Sequence, residues 1–301
     1  MMDWITSIEG TETGQHVAML LALTSALAHA LFGALQKGRH DPWLTRGAID
    51  ISYGVMALPI ALFVFPLPDA QLWAVMVGVF VIHALYKYLM AMAYTRGAYT
   101  VVYPVVRGCG PIFTVLGAGI VFGETFSGVQ WAGTALLSAA ILGLALYNLR
   151  GETVDRATLL SALGFAVMTG AVVSLYTVYD AWGIRLAENA FTFLAWFFVV
   201  DGLTLFPWIA LRRWRRMADP PAPGPLMARG VLGGLIAFVS FSPVMLATRL
   251  DSVGEAAVLR ETSPVFAAAI GWIFLRETVG PVRAGLMALI AAGAVIVELG
   301  G

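Results

Sequence analysis

Apolar runs long enough to cross a bilayer recur from one end of this chain to the other. A helical span needs about 20 mostly apolar residues. Reading the runs between breakers gives ten spans, roughly 17–38, 43–65, 71–95, 99–122, 128–148, 158–180, 189–211, 228–249, 253–275 and 280–299. The element must be helix, because a backbone in lipid has to satisfy its own hydrogen bonds. The runs are too long for barrel strands and lack the period-2 alternation of barrels. Only 12% of the 301 residues are charged, about half the share usual in soluble domains, so the sequence cannot supply a water-facing surface. The reading is an all-α integral membrane protein with ten transmembrane helices and no separate soluble domain. Connections are short except 212–227, RRWRRMADPPAPGPLM, which is basic and then proline-rich.

Net charge is zero, which gives no argument for nucleic acid, and none is expected as a partner. The single cysteine, Cys109, has no internal disulfide partner, and no zinc or iron–sulfur spacing exists. Neither a metal nor a cofactor is therefore expected. The first residues carry Asp3, Glu9 and Glu12 and no Lys or Arg, unlike the basic start of a cleaved signal peptide, so the first run is expected to stay as a span. Odd-numbered loops hold 13 Lys and Arg, Lys37, Arg96 and Arg212 among them, whereas even-numbered loops hold Arg185 and Arg249. Positive charge marks the cytoplasmic side. The expectation is a multi-pass protein of the cell membrane with both termini outside.

The chain also contains itself twice. Residues 107–125 read RGCGPIFTVLGAGIVFGET and residues 260–278 read RETSPVFAAAIGWIFLRET. At one constant offset Arg107 meets Arg260, Pro111 meets Pro264, Phe113 meets Phe266, Glu124-Thr125 meets Glu277-Thr278, and Arg96 meets Arg249. Each half, 1–150 and 151–301, then holds five spans. An odd number forces the second half to insert upside down, giving two inverted five-helix repeats. Two such halves can exchange conformations, so that a central site opens to either side.

These segments, with the glycine-rich spans behind them, resemble the drug/metabolite transporter superfamily in its ten-span EamA-type branch. The likeness runs over nearly the whole chain. A proline followed about thirteen residues later by Glu (Pro111 and Glu124, Pro264 and Glu277) is typical of that family. The arginines before each proline are not. The resemblance implies a transporter in which spans 1, 3, 4, 6, 8 and 9 surround the cavity. It leaves the substrate open among amino acids, nucleotide sugars, quaternary amines and drugs.

An ionisable residue at the middle of a span costs roughly 2.5–3.5 kcal/mol. His29, Asp50, His83, Lys87, Arg107, Asp201, Arg260 and Glu261 are too many to face lipid, so they must line a cavity or pair with one another. Tyr99, Tyr103 and Arg107 follow an i, i+4, i+8 stripe on one helix face. Pro111 and Pro264 lack an N–H and leave the carbonyls of Arg107 and Arg260 without helical partners. Each arginine thus sits beside a loosened stretch of backbone, tolerated at membrane depth only against protein or water. The pair reads as a substrate site with two guanidinium groups, or as structural arginines held by Glu261 and by carbonyls. On span 1, His29 and Gln36 share a face. On span 3, His83 and Lys87 are i, i+4 with Tyr86 beside them, and on span 6 Tyr176, Tyr179 and Asp180 cluster.

The substrate-binding candidates are accordingly His29, His83, Tyr86, Lys87, Tyr103, Arg107, Tyr176, Tyr179 and Arg260. Candidates for proton coupling are Asp50, Asp201 and Glu261. Internal pairing is the alternative for each acid, and for Lys87. Glu124 and Glu277 read as structural carboxylates at the starts of spans 5 and 10, where they complement the helix dipole.

The expected function is secondary active transport of a small metabolite, an amino acid or organic anion. The arginines and Lys87 favour an anionic or zwitterionic substrate, and the tyrosines an organic body or amine. A facilitative exchanger and a lipid-linked-substrate flippase of the same fold are the alternatives. A membrane-embedded enzyme lacks support, since no H-E-x-x-H, G-x-S-x-G or phosphate loop occurs. Besides substrate and bilayer, a second copy of the chain forming a homodimer is left open as a partner.

Overall fold

A computed structural model of the chain describes residues 2–36, 41–97, 99–149, 156–274 and 280–301. Among the described residues there are thirteen helices and no strand. A short α1 (Met2–Ile8) leads into α2 (Glu12–Gln36), α3 (Pro42–Phe63), α4 (Ala70–Tyr94), α5 (Tyr99–Phe122) and α6 (Gly128–Leu149). The chain continues through α7 (Arg156–Leu186), α8 (Ala190–Leu203), α9 (Leu205–Arg216), α10 (Pro223–Leu250), α11 (Val253–Arg260), α12 (Ser263–Phe274) and α13 (Pro281–Leu299). Nine helical stretches among the described residues are long and apolar enough to cross a membrane, with α8 and α9 together forming one of 27 residues. Their outward faces are apolar, with Phe63, Ile120 and Leu299 all at least 80% exposed, as lipid contact requires.

Two expected spans are interrupted, each at a proline. In the run 189–211 the helix breaks at Thr204, whose backbone leaves the helical region (φ −90, ψ −105). Pro207 then falls in the first turn of α9, where its missing N–H removes no helical bond. The run 253–275 divides between α11 and α12 at Glu261 and Thr262, with Pro264 at the start of α12. By contrast α5 runs unbroken through Pro104 and Pro111.

Helix starts are set locally. The Asp41 carboxylate accepts from the amides of Trp43 (2.9 Å) and Leu44 (3.4 Å) ahead of α3, and Asp69 accepts from Leu72 N (2.7 Å) ahead of α4. Such caps satisfy amides that the helix itself cannot.

Packing is tightest where side chains are smallest. Helices α6 and α13 meet at Gly133 and Gly293, where a Cβ on either glycine would stand 2.7 Å from the other's carbonyl oxygen. Helices α3 and α8 meet at Gly54 and Gly202, with a Cβ on Gly202 falling 2.6 Å from Asp50 O. Further pairs are α2 with α10, α4 with α7, α5 with α7, α2 with α11 and α12, α5 with α6, and α12 with α13. The largest buried side chains, Tyr53, Phe193 and Phe197 among them, fill the space between α3, α4, α8 and α10. The ionisable side chains lie in the middle of this bundle.

Candidate functional site

Helices α2, α5, α7, α10 and α11 bring two arginines to the centre. Arg107 on α5 and Arg260 at the end of α11 are 3% and 4% exposed. Arg107 Nε lies 2.8 Å from Glu261 Oε2, too poorly aligned for a hydrogen bond, and its Nη2 has no hydrogen-bond partner among the described residues. Its guanidinium lies over the Tyr103 ring at 5.8 Å, and the Tyr103 hydroxyl reaches Ser263 Oγ at 3.4 Å. His29 stacks beside Tyr103 with ring centroids 6.2 Å apart, and its Nδ1 meets Ser240 Oγ at 3.0 Å. Arg260 rests on the Phe241 ring at 4.9 Å. No carboxylate among the described residues lies within ion-pair distance of it, and its Nε and Nη2 have no hydrogen-bond partner.

Two small cavities adjoin these arginines. One is lined by His29, Tyr86, Tyr103, Arg107 and Tyr176. The other is lined by Tyr176, Asp180, Phe241, Thr248 and Arg260. Tyr176 belongs to both and forms the wall between them. Each holds about 20 Å³, room for a single water.

Beside the cavities runs a chain of buried ion pairs. Arg46 Nε lies 2.7 Å from Asp50 Oδ1, one helical turn on in α3. Lys87 Nζ joins Asp50 Oδ2 (2.7 Å) to Asp201 Oδ1 (2.7 Å) and also donates to Asp201 O (2.8 Å). The Tyr53 hydroxyl donates to Asp201 Oδ2. His83 Nδ1 is 3.8 Å from Asp201 Oδ1, and His83 Nε2 meets Asp180 Oδ2 at 2.9 Å. Asp180 in turn lines the Arg260 cavity. With the histidines uncharged, the acids Asp50, Asp180, Asp201 and Glu261 balance the cations Arg46, Lys87, Arg107 and Arg260, four against four. Charges taken from water are tolerated when paired, as Arg46, Asp50, Lys87, Asp201, Arg107 and Glu261 are here, whereas Asp180 and Arg260 balance in number without touching.

Of the residues singled out from sequence, His29, Tyr86, Tyr103, Arg107 and Tyr176 share one cavity and Arg260 faces the other. His83 and Lys87 lie in the ion-pair chain with Asp50 and Asp201. Tyr179 turns away toward α4, donating to Val75 O at 3.2 Å. Glu261 sits against Arg107. Glu124 does not cap the helix it precedes. Its carboxylate accepts from the amides of Val253 (2.9 Å) and Gly254 (3.1 Å) and from Ser252 Oγ (3.0 Å), at the start of α11, with Arg185 3.5 Å away. The turn at Gly123 (φ +70) redirects the chain just before Glu124. Glu277 lies outside the described residues, as do the side chains of Gln36 and Tyr99. Two participants escaped the candidate set. Asp180 was visible only as part of the span 6 cluster. Arg46, one of the thirteen cations assigned to odd-numbered loops, lies inside α3, and its i, i+4 spacing to Asp50 is the signal in the sequence.

Residues 160–299 match the model of the EamA-like transporter family. A solved crystal structure superposes with a TM-score of 0.70 at 17% identity, covering 95% of this chain and 98% of its own. At that identity the likeness concerns the fold alone. No curated protein matches the chain.

Proposed function

We propose that this chain, whose residues 160–299 match the model of the EamA-like transporter family, is a secondary active transporter that moves a small anionic or zwitterionic metabolite by alternating access. In this reading the halves 1–150 and 151–301 are inverted repeats of five spans, with α8–α9 as the seventh span and α11–α12 as the ninth. The pairing of helices supports it. Exchanging the halves turns α2 on α10 into α7 on α4, turns α5 on α7 into α11 and α12 on α2, and turns α5 on α6 into α12 on α13, and each of these pairs is in contact. The contacts α3 with α8 and α6 with α13 map onto themselves. The family match also covers nearly all of one such half.

The observation that carries the substrate class is the arginine pair. Arg107 and Arg260 occupy equivalent positions in the two halves and face cavities on either side of Tyr176. A guanidinium stays charged when buried and offers a planar fork of donors to an oxyanion. Donors on Arg260 with no acceptor, at 4% exposure, await one. Glu261 holds Arg107 while the site is empty. Facilitative exchange uses the same site and differs only in coupling. A flippase needs a groove open to lipid; the arginine cavities lie within the bundle, and the larger apolar recess of about 400 Å³ between α3, α9 and α10 is lined by neither arginine. The excess of Lys and Arg on odd-numbered loops supports a cell-membrane protein with both ends outside.

Uptake into proteoliposomes tests the site. Arg107→Lys or Arg260→Lys keeps the charge and loses the fork, and is expected to raise the half-saturation concentration. Either alanine variant is expected to abolish uptake in protein that still elutes as a single folded species. Normal uptake by the folded double alanine variant would contradict the reading.

A further inference from the structure

The Arg260 cavity contains two buried polar groups of opposite sign, each with an unpartnered atom. Asp180 is 2% exposed, and only one of its carboxylate oxygens is engaged, Oδ2 by His83 Nε2 at 2.9 Å. The other, Oδ1, is buried and accepts from nothing among the described residues. Across the same cavity, Nε and Nη2 of Arg260 donate to nothing. Buried polar atoms in native proteins are nearly always satisfied, and a bare oxygen of a carboxylate is among the least favourable to leave. The two groups do not satisfy each other, since no ion pair within 4.0 Å joins them.

We infer that this cavity recognises an α-amino acid as a zwitterion, with Asp180 receiving the ammonium and Arg260 the carboxylate. The inference rests on the transporter reading of the arginines and adds a cation-binding half to it. Charge decides against the other ligand classes. An anion without an amine would bring its charge up to the Asp180 carboxylate, and a cation without a carboxylate would meet Arg260. A zwitterion meets an opposite charge at each end and leaves the four acids and four cations of the centre in balance. His83 holds Asp180 from behind, so the orientation of Oδ1 is fixed before the ligand arrives. The remaining lining combines apolar Ala181, Phe241, Val244 and Met245 with the hydroxyl-bearing Tyr176, Thr177 and Thr248, none of them charged, and suits an uncharged side chain. At about 20 Å³ the cavity is contracted, so entry requires α7, α10 and α11 to separate, as alternating access provides.

Thermal unfolding of the purified wild-type protein with each of the twenty proteinogenic amino acids identifies the best binder, because a ligand of the folded state raises apparent stability. That amino acid is then compared with its deaminated acid and its carboxamide. Removing either charged end is expected to weaken binding roughly 10- to 150-fold, the range of a charge-assisted hydrogen bond. Asp180→Asn preserves shape and is expected to bind the amino acid and the deaminated acid equally. If wild-type protein binds the deaminated acid as tightly as the amino acid, the role of Asp180 is overturned while the arginine reading stands. If only the carboxamide retains binding, the arginine reading fails as well. Absence of stabilisation by every amino acid and every deaminated acid overturns both. The wild-type comparison decides even if Asp180→Asn fails to accumulate.

Discussion

Replacing Lys87 by Met tests whether the ion-pair chain holds the two halves together. The ammonium lies 2.7 Å from both Asp50 Oδ2 and Asp201 Oδ1, 2.8 Å from Asp201 O and 3.3 Å from the Tyr53 hydroxyl. Methionine keeps most of the apolar stem, so the packing loss stays below about 1.5 kcal/mol. The dominant effect is two carboxylates left in the interior with Arg46 as their remaining strong cation. Removing one partner of a buried ion pair costs about 3–5 kcal/mol, and that is the loss expected here. Adding Asp50→Asn returns the chain of pairs to its original net charge and is expected to recover part of the loss, with a coupling of about 0.5–3 kcal/mol. Unfolding in mixed micelles, followed by tryptophan fluorescence, measures both variants. A loss below about 1 kcal/mol for Lys87→Met, with the second substitution merely additive, refutes the reasoning. Intact stability with abolished transport would return Lys87 to the substrate site.

Gly293→Val should destabilise by about 1–3 kcal/mol or more, because its Cβ would stand 2.7 Å from Gly133 O and 2.8 Å from Leu137 Cβ; an unchanged melting temperature would show that α6 and α13 do not pack at this point. Glu124→Gln should lower stability by about 1 kcal/mol through the weakened cap on α11, and a neutral effect on melting would contradict the cap. Transport should vary between pH 5 and 8 if a proton moves with the substrate through the buried chain that joins Asp180, His83 and Asp201. A flat profile, with and without a pH gradient, counts against proton involvement.

The sequence carried the all-helical class, the long apolar stretches and the types of residue in the centre, but not the pairing of charges or the helix breaks. Its ten expected runs compare with nine qualifying stretches among the described residues. Span lengths are legible because lipid demands them over a continuous run. Breaks are not, because a proline alone does not decide one. Pro111 sits inside the continuous α5, whereas the equivalent Pro264 opens α12 after two non-helical residues. Pairs within a helix are readable from spacing, as Arg46 and Asp50 were in principle, but Lys87 with Asp201 joins residues 114 positions apart. Glu124 shows the same limit. A helix-dipole argument places it on its own helix, and a turn delivers it to α11. Asp180 looked like one polar residue in a tyrosine cluster, and only the cavity it shares with Arg260 marks it as a participant.

Exchange across sealed proteoliposomes tests the transporter itself most directly. Vesicles loaded with the labelled amino acid that best stabilises the protein are diluted into buffer with or without the unlabelled form outside. A carrier that alternates around one central site returns faster loaded than empty, so efflux should saturate with substrate and accelerate when unlabelled amino acid is present outside. Efflux that rises linearly with concentration, ignores the outside substrate and matches that of protein-free vesicles would contradict the account.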